Sequence, residues 1–289
     1  MPDLLTVASA LAPRWHARLR LRYRRDGART VAHDLHEGPL RVLKPLYPEG
    51  PEVCHHVLVH PPGGIVGGDR LDLALDLAAG AHALVTTPGA TRYYRSAHGA
   101  ASQQVEARVD DGARLEWLPL ETIAYSGCDA ENRLRFALAA GAEMIGADLL
   151  ALGLPAAGLA FERGRVRQHL EVCGHWLERG LIAAADRRLL DSPLGLAGHR
   201  VLATLWFAAG APIEPARRDA LLDAARGVEP PSTPTTLVQG ATAPCDHVVV
   251  LRLLAPRVEP ALARLREVWA AWRQVAWQRR ACAPRVWRT

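Results

Sequence analysis

A repeat of about thirty residues constrains this chain more than any other feature. Leu75-Asp76-Leu77-Ala78-Ala79-Gly80-Ala81, Ala107-Arg108-Val109-Asp110-Asp111-Gly112-Ala113 and Phe136-Ala137-Leu138-Ala139-Ala140-Gly141-Ala142 share one pattern. An alternating strand ends, two residues intervene, Gly-Ala turns the chain, and alternation restarts. Strand periodicity is two, so each copy presents one apolar face. A unit of this kind buries that face by stacking on the next copy. The expected fold is mainly β, an elongated, solenoid-like (β-helical) stack of strands, with a β-sandwich as the plain alternative.

The flanks agree with strands first and helices last. Leu19, Leu21 and Tyr23 alternate with Arg18, Arg20, Arg22 and Arg24, and Asp26-Gly27 then turns the chain into Thr30-Val31, a hairpin signal. Leu40 to Val42, His55 to Val59, Arg165 to Val172, Trp176 to Ala185 and Val248 to Leu251 read as further strands. Helical spacing arrives late, giving about two helices in the C-terminal third. The first covers Pro212 to Arg226 and stops at Gly227. After a Pro230-to-Thr235 loop and the Val248 strand, the second runs from Pro260 to about Arg280, with Leu262, Leu265, Trp269, Trp272 and Ala276 on one stripe. No linker demands a second domain, so residues 1–289 are expected to form one.

The formal charge of +5 is small and spread along the chain, which argues against nucleic acid and suits an acidic protein partner. Five scattered cysteines without a Cys-x-x-Cys pair read as reduced thiols. Met1-Pro2-Asp3 lacks the basic start of a signal peptide, and no apolar run is long enough to span a membrane. The expected location is the cytoplasm.

Two polar loops carry the unusual chemistry. His60-Pro61-Pro62-Gly63-Gly64-Ile65-Val66-Gly67-Gly68-Asp69 precedes a strand, and Thr86-Thr87-Pro88-Gly89-Ala90-Thr91 follows another. Together they read as a built surface or channel mouth, or simply as two tight turns. The glycine loop is no nucleotide cradle, because it lacks Gly-Lys-Ser/Thr and G-x-G-x-x-G spacing and does not open a helix. Esterase, zinc-protease and paired-cysteine signatures are also absent. Cys54, His55, His56 and His60 offer sulfur and nitrogen to a borderline metal, but His55 and His56 point to opposite faces of a strand. Cys173-Gly174-His175 and Cys245-Asp246-His247 are similar pairs. Asp69 and Glu121 end strands, either as functional carboxylates or as turn caps. A β-solenoid enzyme using these two as an acid/base pair on a glycan is the enzymatic alternative. Trp269, Trp272, Arg285 and Trp287 belong either to the core or to an interface, where such residues are enriched.

At these motifs the sequence resembles the urease accessory protein family UreD, also called UreH. The resemblance covers His60 to Gly64 with Gly67-Gly68-Asp69, Thr86 to Thr91 with Tyr94-Arg95-Ser96, and Leu115-Glu116-Trp117-Leu118-Pro119 with Glu121-Thr122-Ile123. It ends in Ala283-Pro284-Arg285-Val286-Trp287-Arg288. Leu154 and Leu159 depart from the family, standing where it carries a charged pair. The resemblance implies a non-enzymatic urease maturation factor. It would act as a scaffold with UreF and the GTPase UreG, docked on urease apoprotein. It would bind no cofactor tightly; nickel would be in transit through an internal passage, and GTP would belong to UreG. His60, Asp69 and Glu121 then become candidate nickel-transit positions, and Trp269, Trp272, Arg285 and Trp287 candidate contacts with UreF.

Overall fold

The structure, a computed structural model, describes residues 15–97, 99–227 and 237–288. The loop expected at Pro230 to Thr235 lies outside them. The chain opens with the hairpin β1 (His16–Asp26) and β2 (Arg29–Glu37), turned at Asp26-Gly27, and continues through β3 (Arg41–Val42) and β4 (Val53–Val59). Three coils follow. Each has one long strand, a glycine corner and a second strand: β5 (Arg70–Leu77) with β6 (His82–Thr86), then, after β7 (Thr91–Tyr93), β8 (Ala101–Val109) with β9 (Arg114–Leu118). Past β10 (Thr122–Ala124), the third coil is β11 (Cys128–Leu138) with β12 (Glu143–Leu152). Next come β13 (Gly164–Val172), β14 (Trp176–Ala183), the short α1 (Arg187–Asp191), β15 (Val201–Ala209), α2 (Pro215–Gly227), β16 (Val238–Cys245), β17 (Val248–Ala255) and α3 (Val258–Trp277).

The three repeats are the three coil corners. Gly80 N donates to Asp111 O at 3.1 Å, and Gly112 N donates to Gly141 O at 3.0 Å, so each corner hydrogen-bonds to the next. Gly112 has φ +67, a backbone state that glycine adopts without steric cost. Coil stacking makes β5, β8, β11 and β13 parallel in one sheet, and β4, β6, β9 and β12 parallel in the other. The hairpins close the stack, giving strand orders β14-β13-β11-β8-β5-β1-β2 and β16-β17-β15-β12-β9-β6-β4-β3. The solenoid-like expectation holds. The late helices are α2 and α3; α1 is additional and too short to carry a periodic signal.

Two cores result. Leu19, Leu21, Tyr23, Phe136 and Trp206 pack between the sheets. Ile145, Leu205, Phe207, Leu265, Trp269 and Trp272 pack the second sheet against the helices. The α3 stripe also carries two arginines into the interior, Arg264 and Arg273. Arg273 is 0 % exposed and reaches Glu49 at 2.8 Å, the Arg280 carbonyl at 2.9 Å and Glu116 at 3.3 Å. Glu116 is bonded in turn by His82 at 2.7 Å and by the Trp269 indole at 2.6 Å. None of the helices in the described residues is long and apolar enough to cross a membrane.

Removing one partner of a buried charge cluster strands the rest, at about 3–5 kcal/mol. Arg273→Ala is therefore expected to lower unfolding free energy by about that much in urea titration. A loss under about 1 kcal/mol would show that the network contributes little.

Candidate functional site

The two polar loops meet. Ile65 N donates to Arg92 O at 2.7 Å and Ile65 O accepts from Tyr94 N at 2.9 Å, which ties the glycine loop to the Thr86–Thr91 segment. Gly64 must be glycine, because a Cβ there would lie 2.0 Å from the Tyr94 ring. Behind this junction lies a cavity of about 260 Å³ between the sheets, lined at its mouth by His60, Gly63, Gly64 and residues 87–92. Two polar wall atoms, His60 Nε2 and Trp117 Nε1, are buried without a protein partner. Unpaired polar atoms of this kind are satisfied by water, which fits a hydrated space.

The floor is polar by construction. Gln103, Asn132 and Gln168 hold one register across β8, β11 and β13 and form an amide ladder inside the stack. Gln103 donates to Asn132 Oδ1 at 3.3 Å. Asn132 and Gln168 both donate to the Asp148 carboxylate of β12, at 3.1 and 2.8 Å. Asn132 and Asp148 also line a second space of about 20 Å³, bounded by Gln168, His169 and Glu178. Gln168 and His169 border a third, an open groove of about 420 Å³ at the far side. Asp148 thus lines both the first cavity and the second space, which reaches β14 at Glu178. Burial, with the charge of Glu178 adding, raises its pKa to about 6, while the two amide bonds pull the other way.

The positions singled out in the sequence fall differently. His60 lines the cavity; burial lowers its pKa and the charge of Asp69 opposes that. Asp69 is itself a turn tie. Its two oxygens accept from Trp15 N at 3.0 Å and Val66 N at 3.1 Å, and it does not line the cavity. Glu121 also lies off the cavity wall, with its charge acting on Arg266 of α3. The carboxylate facing the cavity is Asp148, which the loop motifs did not flag. Its signal was a lone acid within the apolar run Met144 to Leu152.

The histidines of β4 separate as its alternation requires. His55 bonds Glu49 at 2.7 Å on one face, and His56 bonds the Tyr23 hydroxyl at 2.9 Å on the other. Burial pushes the Cys54 thiol up to about 11, so it stays protonated and is a poor metal ligand. Among the described residues, no group of three or more His, Cys, Asp or Glu is placed to hold a metal. The two Cys-x-His turns do meet: the rings of His175 and His247 stack at 3.7 Å.

Trp269 and Trp272 are buried, the latter bonding Leu221 O at 2.8 Å, and both pin α3 to its neighbours. Trp287 bonds Thr86 Oγ1 at 2.8 Å and lies edge-on to Trp269 at 5.4 Å. This anchors the C-terminal tail beside the loop that frames the cavity mouth. Arg285 is exposed. Leu154 and Leu159 form a local bridge with each other, Leu159 being 59 % exposed.

Comparison with known proteins places this architecture. The family model for the UreD urease accessory protein matches residues 16–288. A urease accessory protein UreD of Leptothrix cholodnii is 61 % identical over 277 residues, covering 95 % of this chain and 99 % of that protein. UreD proteins of Verminephrobacter eiseniae (58 % identical over 273 residues) and Methylibium petroleiphilum (57 % over 294) are covered over 99 % of their length, by 94 % and 95 % of this chain. With its stacked coils and cavity-framing loops, the chain belongs to the UreD family of urease accessory proteins.

Proposed function

We propose that this chain serves urease maturation as a scaffold that docks, with UreF and UreG, on urease apoprotein and passes nickel through its interior. Asp148 carries the proposal: one carboxylate lining two spaces and held only by amide side chains, which in this reading is the neck of the route. A single oxygen ligand group flanked by amides attracts a divalent cation without the three or four ligands that would retain it. The hydrated mouth beside His60 offers a borderline nitrogen ligand on the way in. GTP belongs to UreG in this reading. The glycan-acting alternative lacks a shared cavity, because Asp69 and Glu121 both lie off the wall.

The UreF contact is assigned to the exposed part of the C-terminal tail, with Arg285 as its charged element and Trp287 as the anchor beneath it. Trp269 supports that tail from the core, and Trp272 pins α3 to α2.

Asp148→Asn is expected to leave folding and co-purification of UreF and UreG unchanged and to cut the nickel content and activity of cell-matured urease at least about tenfold. Full nickel loading would remove the neck from the route. The pH response has a definite sign. The folded Asp148 pKa is raised to about 6, so the folded chain holds the extra proton between about pH 4 and 6. The cost of burying the charge is present above that window and is relieved as pH falls through it. Relative to wild type, the Asn variant should therefore gain stability from pH 4 to 7, approaching about 3 kcal/mol; parallel profiles would contradict the shift. Arg285→Glu should weaken pull-down by UreF at least about tenfold while the thermal midpoint holds. Unchanged capture would move the interface elsewhere.

A further inference from the structure

The main paths of the two sheets end in four edge strands among the described residues, and three of them are protected against pairing. β2 carries the exposed charges Asp34 and Glu37. β3 is two residues long. β16 has an irregular register between Thr242 and Cys245 and a proline, Pro244, inside that interval. Short length, charge, bulges and proline are the usual devices that blunt a sheet edge.

β14 has one exposed unpaired charge, Arg179, and neither the shortness, the bulge nor the proline of the other edges. It spans eight residues, contains no proline, and pairs only with β13. Its one carboxylate, Glu178, is held by Arg252. Its outward face shows Leu177, Arg179 and Leu181 in a row, the two leucines 55 % and 53 % exposed. Beside that row runs the open groove of about 420 Å³, bordered by Arg133, Arg167 and Arg179 against the single acid Glu131. Arg167 is paired with Asp129, whereas neither Arg133 nor Arg179 makes an ion pair among the described residues. The Arg133 Nε is buried without a partner.

We propose that the β14 edge is a docking site for an extended acidic segment of a partner protein, which adds to the sheet as a further strand. Backbone pairing to a free edge supplies affinity, and alternate side chains supply selectivity. Cross-strand neighbours on the outward face then fix the chemistry of that segment. It places apolar residues against Leu177 and Leu181, and an acid between them against Arg179 and the arginines of the groove. The motif is apolar, acidic, apolar at two-residue spacing.

The test uses the full chain and a fluorescent peptide with a Val-Thr-Glu-Thr-Val core, compared with its Val-Thr-Lys-Thr-Val counterpart by anisotropy. The glutamate peptide should bind at least about tenfold tighter than the lysine peptide, and added salt should weaken it. Arg179→Glu should reverse the preference, and Leu181→Lys should lower affinity for the glutamate peptide at least about tenfold. Both side chains are exposed, so circular dichroism should show unchanged folding. Equal binding of the two peptides, no binding of the glutamate peptide, or an unchanged preference in Arg179→Glu would overturn the proposal. A dimer of the wild-type chain in sedimentation, lost in Leu181→Lys, would overturn it in favour of a second copy on this edge. No nickel enters the assay, so its failure leaves the internal passage standing.

Discussion

Arg273 is the fixed point of the molecule. A fully buried guanidinium survives only where its charge is answered, and here two carboxylates and a carbonyl do so, although Nε faces Glu116 without a hydrogen bond. Those partners come from three places: the loop before β4, the strand β9, and the chain just past α3. One side chain therefore joins the first third of the chain, the coil stack and the C-terminal helix. Burial would raise the Glu49 pKa, but the bonds from His55 and Arg273 outweigh it and hold the group low. That contribution is present above the unfolded pKa and fades as pH falls through the lower folded value. His82 works in the same direction. Burial lowers its pKa against the pull of Glu116, so acid protonates the unfolded imidazole first and favours unfolding. The network is a neutral-pH lock.

The lock bears on the cavity through α3. Once Arg273 seats the helix, Trp269 is in place to receive Trp287, and Trp287 reaches Thr86 at the base of the second polar loop. Thr86 in turn donates to the Leu118 carbonyl at 2.6 Å. The mouth is held from behind by core packing, and the glycine loop is held in front by Asp69 and by the Ile65 bridge. Loops that look free in the sequence are thus clamped on both sides, as a preorganised opening requires.

Legibility in the sequence followed the range of the interaction. The coil corners were readable because Gly80, Gly112 and Gly141 recur locally, and the β1–β2 turn because Asp26-Gly27 is a local signal. The opposed faces of His55 and His56 followed from strand periodicity alone. Arg273 was not readable: on a helix stripe, an arginine facing inward looks like one facing water until its partners arrive from far along the chain. Asp69 drew attention because glycines surround it, yet those glycines serve the turn that its carboxylate ties. The polar floor was hidden for a related reason. Gln103, Asn132 and Gln168 lie 29 and 36 residues apart in sequence, and only coil stacking aligns them.

In the proposed role, that alignment lets a solenoid hold a polar route without losing its core. The strands β8, β11 and β13 each give up one inward position to an amide, and neighbouring rows stay apolar with Leu134, Phe136 and Leu170. An amide can donate or accept, so in the proposed role the same side chain bonds the carboxylate at rest and would turn its oxygen toward a cation in passage. A ladder of three histidines in these places would bind a borderline metal and keep it. Two amides on a single acid, with Gln103 behind them, would in that role bind it weakly and release it. In the proposed role, what the floor withholds matters as much as what it contains: release depends on Glu178, whose charge reaches Asp148, being held by Arg252 rather than joining it as a second ligand.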